Sequence, residues 1–309
     1  MSEQEPVRGI VVSGLARSFG TVDAVRDVTF EAVAGRVTAL VGPNGSGKTT
    51  LLLMLATLLV PDRGTIRIDG RDPVTESRAV RAGLGWMPDV LGSWAALSVR
   101  STLELTGRLY GMTKAAASAR AVELIGTVNL GDLADQPTRV LSRGQKQRLS
   151  LARSLVHDPS VLLLDEPAAG LDPGARVALR ELLRRLAGDG RTILIASHVL
   201  AELEEVADDA VFLEAGATVD RARLAAARSQ SRGWRIRTLD AAALSTALAR
   251  ESLVPEPGPD PAEAVVMLSG EAEAAALLGR LVSAGVPVSA FAPSVGDLEQ
   301  TFLDLGGAR

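Results

Sequence analysis

The stretch "GPNGSGKTT", Gly42 to Thr50, fits the pattern G-x-x-x-x-G-K-[ST] and decides how the rest of the chain is read. It follows "RVTALVG", Arg36 to Gly42, which reads as a strand, and it leads into a helical pattern. That context separates a phosphate-binding loop from a glycine-rich turn of purely structural purpose. Glycine lets a backbone wrap closely around a phosphate with its N–H groups pointing inward, and the following helix adds its positive end. Here Gly42, Pro43, Asn44, Gly45, Ser46 and Gly47 form the wrap, and Thr50 carries the loop into the helix. Lys48 is expected at the β- and γ-phosphates, and Thr49 offers a hydroxyl to Mg²⁺. Only three of the 33 basic residues are lysine (Lys48, Lys114 and Lys146), so a lysine at this position is informative.

Outward from the loop, short apolar runs alternate with helical patterns up to about residue 217. "VLLLD", Val161 to Asp165, and "TILIAS", Thr192 to Ser197, are continuous apolar strands bounded by acids or small polar residues. Strands of that kind are buried on both faces, which predicts an α/β domain with a parallel central sheet. "VRGIVVSGL" and "GTIRIDG" alternate and predict an antiparallel edge, so the sheet as a whole is mixed. The apolar run "LLLMLATLLV", Leu51 to Val60, reads as a buried helix. At 10 residues it falls far short of the roughly 20 needed to span a bilayer. The Arg- and Ala-rich stretch from 220 to 232 reads as a helical linker. Beyond it, from 233 to 309, strands "WRIRTL", "AVVMLS" and "VPVSAFA" alternate with helices and a proline-rich loop "VPEPGPDP". This predicts a small α+β module without a catalytic constellation.

A phosphate loop needs an acid for its metal, and Asp165 closes the run "VLLLD" with Glu166 beside it. Neighbouring carboxylates at a strand end point different ways. One can hold Mg²⁺ while the other polarises an attacking water as general base. "LSRGQKQRLSLARSL", Leu141 to Leu155, lies between loop and acids. Ser142 can cap the helix that follows, and Gly144 permits close backbone approach, giving a second anion site. One chain with two phosphate-binding elements far apart in sequence needs a reason.

The set "GPNGSGKTT", "LSRGQ", "LLLDEP", "GLD" and "SH", in that order, resembles the ATP-binding subunit of an ABC transporter. The resemblance covers roughly residues 6 to 217 and implies a P-loop NTPase fold over 1–219, with a helical subdomain at about 90–158. It implies ATP and Mg²⁺ as cofactors and two such subunits sandwiching two nucleotides head to tail. Each ATP then lies between one subunit's P-loop and the other's signature, here Ser142, Arg143, Gly144 and Gln145, which accounts for the second anion site. By position in the motifs, Phe19 would stack on adenine, Asp172 would meet the partner's P-loop, and His198 would sense the γ-phosphate and orient water with Glu166. Arg143 departs from the usual glycine. Aligning "GLGWMPD" with the family's strand ending in Pro-Gln puts Asp89 where a glutamine touches Mg²⁺ and the permease. Asp89 is shorter and negative, so it either approaches the metal through water or turns outward.

The closing segment "VSAFAPSVGDLEQTFLDL" is similar to the C-terminal extension of ATPases that serve ABC-2-type exporters, drug efflux systems among them. The resemblance therefore implies an Mg²⁺-dependent ATPase driving a separate membrane permease from the cytoplasmic face of the plasma membrane. An importer ATPase and a non-transport ABC ATPase are the alternatives. The composition excludes other classes. A net charge of −4 offers no footprint for nucleic acid, and zero cysteines leave no disulfide or thiolate metal site. The first residues, "MSEQEPVRGI", lack a signal-peptide core, so the chain is expected to be soluble on its own.

Overall fold

A computed structural model describes residues 8–90, 92, 94–228, 231–257, 260 and 262–307. The chain divides into two compact units at Val219 and Asp220. In the first, the strands are β1 Gly9–Phe19, β2 Val22–Val33, β3 Val37–Val41, β4 Arg63–Ile68, β5 Leu84–Met87, β6 Val161–Asp165, β7 Thr192–Ala196, β8 Asp209–Glu214 and β9 Ala217–Thr218. They form one nine-stranded sheet in the order β4-β1-β2-β9-β8-β3-β7-β6-β5. β8, β3, β7, β6 and β5 run parallel, whereas β1 pairs antiparallel with both β2 and β4. The sheet is mixed with an antiparallel edge, for the reason the sequence suggests. β3, β6 and β7 are buried at every position and carry no polar face, whereas β2 alternates.

The helices of this unit are α1 Lys48–Leu55, α2 Ser77–Gly83, α3 Val99–Leu109, α4 Lys114–Thr127, α5 Arg143–Leu155, α6 Pro173–Gly188 and α7 Leu200–Glu204. Three of them start on a hydroxyl that accepts from the first turn: Ser98 for α3, Thr113 for α4 and Ser142 for α5. α3 packs on α4, and both touch α5. The run Leu51 to Val60 is not one buried helix. α1 ends at Leu55, and Thr57 takes a left-handed backbone with φ 63°. Leu51, Leu52, Met54 and Leu55 enter the core, while Leu58 and Val60 are 61% and 57% exposed.

The second unit begins with α8 Arg221–Arg228, so most of the stretch read as a linker is a helix of that unit, packed on its last helix. Ser229 and Gln230 of that stretch lie outside the described residues. There follow β10 Arg232–Thr238, α9 Ala241–Arg250, β11 Glu256–Pro257, β12 Glu263–Leu268, α10 Glu271–Ser283, β13 Val288–Pro293 and α11 Asp297–Gly307. The strands make an antiparallel sheet, β11-β12-β10-β13, over a core of its own that includes Trp234, Ile236, Leu248, Val266 and Leu277. Within "VPEPGPDP", Glu256 and Pro257 pair with β12 as a short edge strand, and Gly258, Pro259 and Pro261 lie outside the described residues.

Candidate nucleotide site

The four adjacent strands β3, β7, β6 and β5 run parallel, so their carboxyl ends lie side by side along one edge. In α/β sheets that edge is where ligands bind. β3 delivers the loop 42–47 and β7 delivers Ser197 and His198. β6 ends in Asp165 and Glu166, and β5 runs out through Pro88 to Asp89. Residues far apart in the chain thus meet around a cavity of about 990 Å³. Asn44, Gly45, Gly47, Lys48, Thr49 and Thr50 line it from the loop, facing Asp165, Glu166, Asp89, His198 and Arg143. Trp86, Val22, Asp23 and Ala24 also form part of the wall.

The loop has its shape for local reasons. Gly47 has φ 99°, and a Cβ there would stand 2.4 Å from the Ala24 carbonyl oxygen, so no other residue fits. Gly47 is also the N-cap of α1 and provides no side-chain cap, which leaves the helix's first N–H groups turned to the cavity. The Lys48 Nζ donates to the carbonyls of Gly42 at 2.6 Å and Pro43 at 3.1 Å. Burial pulls this ammonium below the ordinary lysine value, while Glu166 and Asp165 push it back up. Ser46 is buried, and its hydroxyl has no protein partner among the described residues.

Opposite the loop, Asp165 is 6% exposed. Desolvation, then Glu166, then Asp89 raise its pKa to about 6, against the pull of Lys48. Asp89 is exposed but lines the same cavity, and its charge is one of those acting on Asp165. Glu166 sits in the left-handed region with φ 52°. Its carboxylate accepts from the Ser197 hydroxyl at 3.0 Å and the His198 N–H at 2.8 Å, and His198 Nδ1 lies 2.9 Å from it. His198 thus lines the cavity itself and also braces the Glu166 carboxylate.

The signature residues are only partly drawn in. Arg143 lines the cavity; Ser142, Gly144 and Gln145 do not. Ser142 and Gln145 close a reciprocal capping box, each side chain accepting from the other's backbone N–H at 3.2 and 2.8 Å. Gly144 faces the turn before α6: a Cβ there would lie 2.7 Å from the Gly170 oxygen. Asp172 does not reach the cavity either; it caps α6 through Ala175 N–H at 2.9 Å. Phe19 ends β1 beside the cavity wall, 48% exposed, with the Arg17 guanidinium 5.0 Å from its ring. Sequence reading missed Ser197 and Trp86, although both stand beside residues it singled out. It also missed Gln147, whose only signal is a glutamine on the inward face of α5.

Acids outnumber bases around this cavity, and Asp165 carries a raised pKa, so the donor set suits a divalent cation. Among the described residues no group of three or more His, Asp or Glu side chains has the spacing of an all-protein metal cage. Mg²⁺ takes one or two carboxylates and completes its shell with substrate phosphates and water, a demand that Asp165 and the Thr49 hydroxyl on this cavity match.

A P-loop after β3, paired acids at the end of β6 and a histidine just past β7, the strand between them, define a nucleoside-triphosphate-binding protein. The family model for the ABC transporter matches residues 25–169, and the chain belongs to that family. It is 33% identical to a daunorubicin/doxorubicin resistance ATP-binding protein of Streptomyces peucetius, over 98% of this chain and 94% of that one. It is 41% identical to a Nod factor export ATP-binding protein I of Burkholderia lata, over 68% of this chain and 69% of that one. Among solved structures, the ATP-binding subunit of an ABC transporter superposes with a TM-score of 0.64 at 28% identity, covering 68% of this chain and 88% of the other.

Proposed function

We propose that this chain is the ATP-hydrolysing subunit of an ABC exporter, working as a head-to-tail pair on a separate membrane permease. The observation that carries the reading is the single cavity in which Lys48 faces Asp165 and Glu166 across the ends of β3 and β6. The names of its relatives, drug resistance and Nod factor export, support export over import. Among the described residues no helix is long and apolar enough to cross a membrane. The chain then meets the membrane through its permease, at the cytoplasmic face where ATP is.

In this reading the ATP phosphates displace Lys48 from the carbonyls of Gly42 and Pro43, and its ammonium turns to the β- and γ-oxygens. The inward N–H groups of 44–49 bind the same phosphates. Thr49 and Asp165 would hold Mg²⁺, with Asp89 lining the same cavity, and the ion when bound would neutralise charge on the phosphates. Glu166, fixed by Ser197 and His198, takes the proton of the attacking water as it adds to the γ-phosphorus. The bond from that phosphorus to the β-bridging oxygen breaks, and ADP and phosphate leave. Phe19 stacks on adenine. Ser142, Arg143, Gly144 and Gln145 close on the nucleotide of a second copy, whose P-loop Asp172 meets.

The test is Glu166→Gln in the purified chain. ATP turnover should fall by about 10²-fold or more, and ATP-bound dimers should accumulate in size-exclusion runs. Hydrolysis at the wild-type rate would remove Glu166 as the base.

A further inference from the structure

Glu166 holds a backbone conformation that costs a residue with a Cβ roughly 1–2 kcal/mol, and such a residue stays there only when its surroundings fix it. Four bonds tie it to the end of β7. Its own N–H donates to the Ala196 carbonyl at 2.8 Å, and its carboxylate takes the three contacts from Ser197 and His198. The peptide group on its other side is held from elsewhere. Gln147, 2% exposed on α5, donates its Nε2–H to the Glu166 carbonyl oxygen at 2.6 Å. The Ala169 N–H reaches that oxygen at 3.1 Å as part of the local turn. Gln147 is therefore the side chain by which the helix that opens at Ser142 grips the residue we assign as base. Two turns of the same helix carry both the capped signature and this grip.

We propose that Gln147 is a positioning residue for Glu166, and that it passes the placement of α5 to the carboxylate. The proposal rests on the reading of Glu166 given above. The reasoning is geometric. With the N–H side anchored on β7 and the C=O side on α5, neither peptide plane flanking the left-handed residue can rotate. Remove the second anchor, and φ and ψ can relax toward the ordinary helical region, swinging the carboxylate away from the water it must polarise. The P-loop hangs from β3, whereas the Gln147 bond goes to the residue that follows β6, so losing this anchor leaves the loop's own bonds in place. A shift of α5, such as its N-terminus would undergo on gripping the nucleotide of a second copy, reaches Glu166 through this bond. Binding across the dimer would then set the geometry of the base.

The experiment compares Gln147→Leu, similar in volume and unable to donate, with Gln147→Glu, which keeps the shape but sets a carboxylate against the carbonyl. Turnover is measured against ATP concentration. ATP affinity is measured separately, from the fluorescence of Trp86 in the cavity wall. Deuterium uptake is followed over residues 166–171. The expected result is a kcat about 10- to 100-fold lower in both variants. The Kd for ATP should stay within about twofold, and exchange should rise over 166–171 with the P-loop segment unchanged. A kcat within twofold of wild type overturns the proposal. So does a loss of ATP binding in step with turnover, or a failure of both variants to fold, because either makes the bond general structural support. If the wild-type chain does not hydrolyse ATP, or Glu166→Gln still does, the reading of the site fails instead, whatever Gln147 does.

Discussion

Asp165 is where the site's electrostatics become measurable without a substrate. Its carboxyl has a pKa of about 6 in the folded chain, against 3.8 ordinarily. The folded state therefore binds more protons than the unfolded one across that window, and this group's contribution to stability falls as pH rises from about 4 to about 6. Above that window the buried charge costs about 1–2 kcal/mol after allowance for solvent. Asp165→Asn removes the cost. In calorimetry with chelator and no nucleotide, the variant's first unit should melt about 2–6 °C above wild type at pH 7.5, with the gain gone near pH 4. A gain of equal size at both pH values would contradict the burial argument. Asp89 contributes to the same crowding. Asp89→Gln should keep its turnover within about threefold at saturating Mg²⁺ while the half-saturating Mg²⁺ concentration rises about 10-fold. An unchanged Mg²⁺ dependence with lost transport would assign Asp89 to the permease contact instead. The identity of these acids was legible because each ends a recognisable strand. That Asp89 lines the same cavity as Asp165 was not, since a run of Gly, Trp, Met and Pro names no partner for the charge.

Among the elements, α5 ties together segments far apart in the chain. Its first turn closes the capping box, and Gln147 holds Glu166. Arg148 donates to the Asn129 carbonyl past the end of α4 at 2.9 Å. Arg153 donates to the Gly92 carbonyl beyond Asp89 and lies 5.1 Å from the Trp94 ring. One helix thus touches the segment after β5, the segment after β6 and the helical layer. Its start depends on Gly144 lying flat against the turn before α6. Gly144→Ala puts a methyl where the Gly170 oxygen sits 2.7 Å away, against backbone that cannot swing aside. The variant should lose about 1–3 kcal/mol in urea denaturation, with ATP binding to the chain's own P-loop retained in the monomer, where no second copy's nucleotide meets Gly144. An unchanged denaturation midpoint would show that the contact is slack. Sequence patterning gave the helix and its cap, both of which are local. It did not give Gly144's second role or Gln147's bond, which join residues 26 and 19 positions apart and leave no periodic trace.

On the scale of the whole chain, the motifs were legible because each is a short segment at a strand end, and the mixed sheet followed from which strands alternate. Less legible was where apolar runs stop. The division of Leu51 to Val60 between core and surface turns on the left-handed Thr57, and a threonine carries no signal of that. The sheet order has one further consequence, for the way the molecule is made. β3 lies between β7 and β8, which are synthesised more than 140 residues later. The phosphate loop, complete in covalent terms by residue 50, can pack on β2 early but lacks both strand neighbours of β3 until the chain has grown past Glu214. Such long-range closure is slow and leaves apolar strands bare meanwhile. On the ribosome, then, the first motif written is among the last to take shape. An emerging chain stalled before β7 would present β3 and β6 to chaperones and have no grip on ATP.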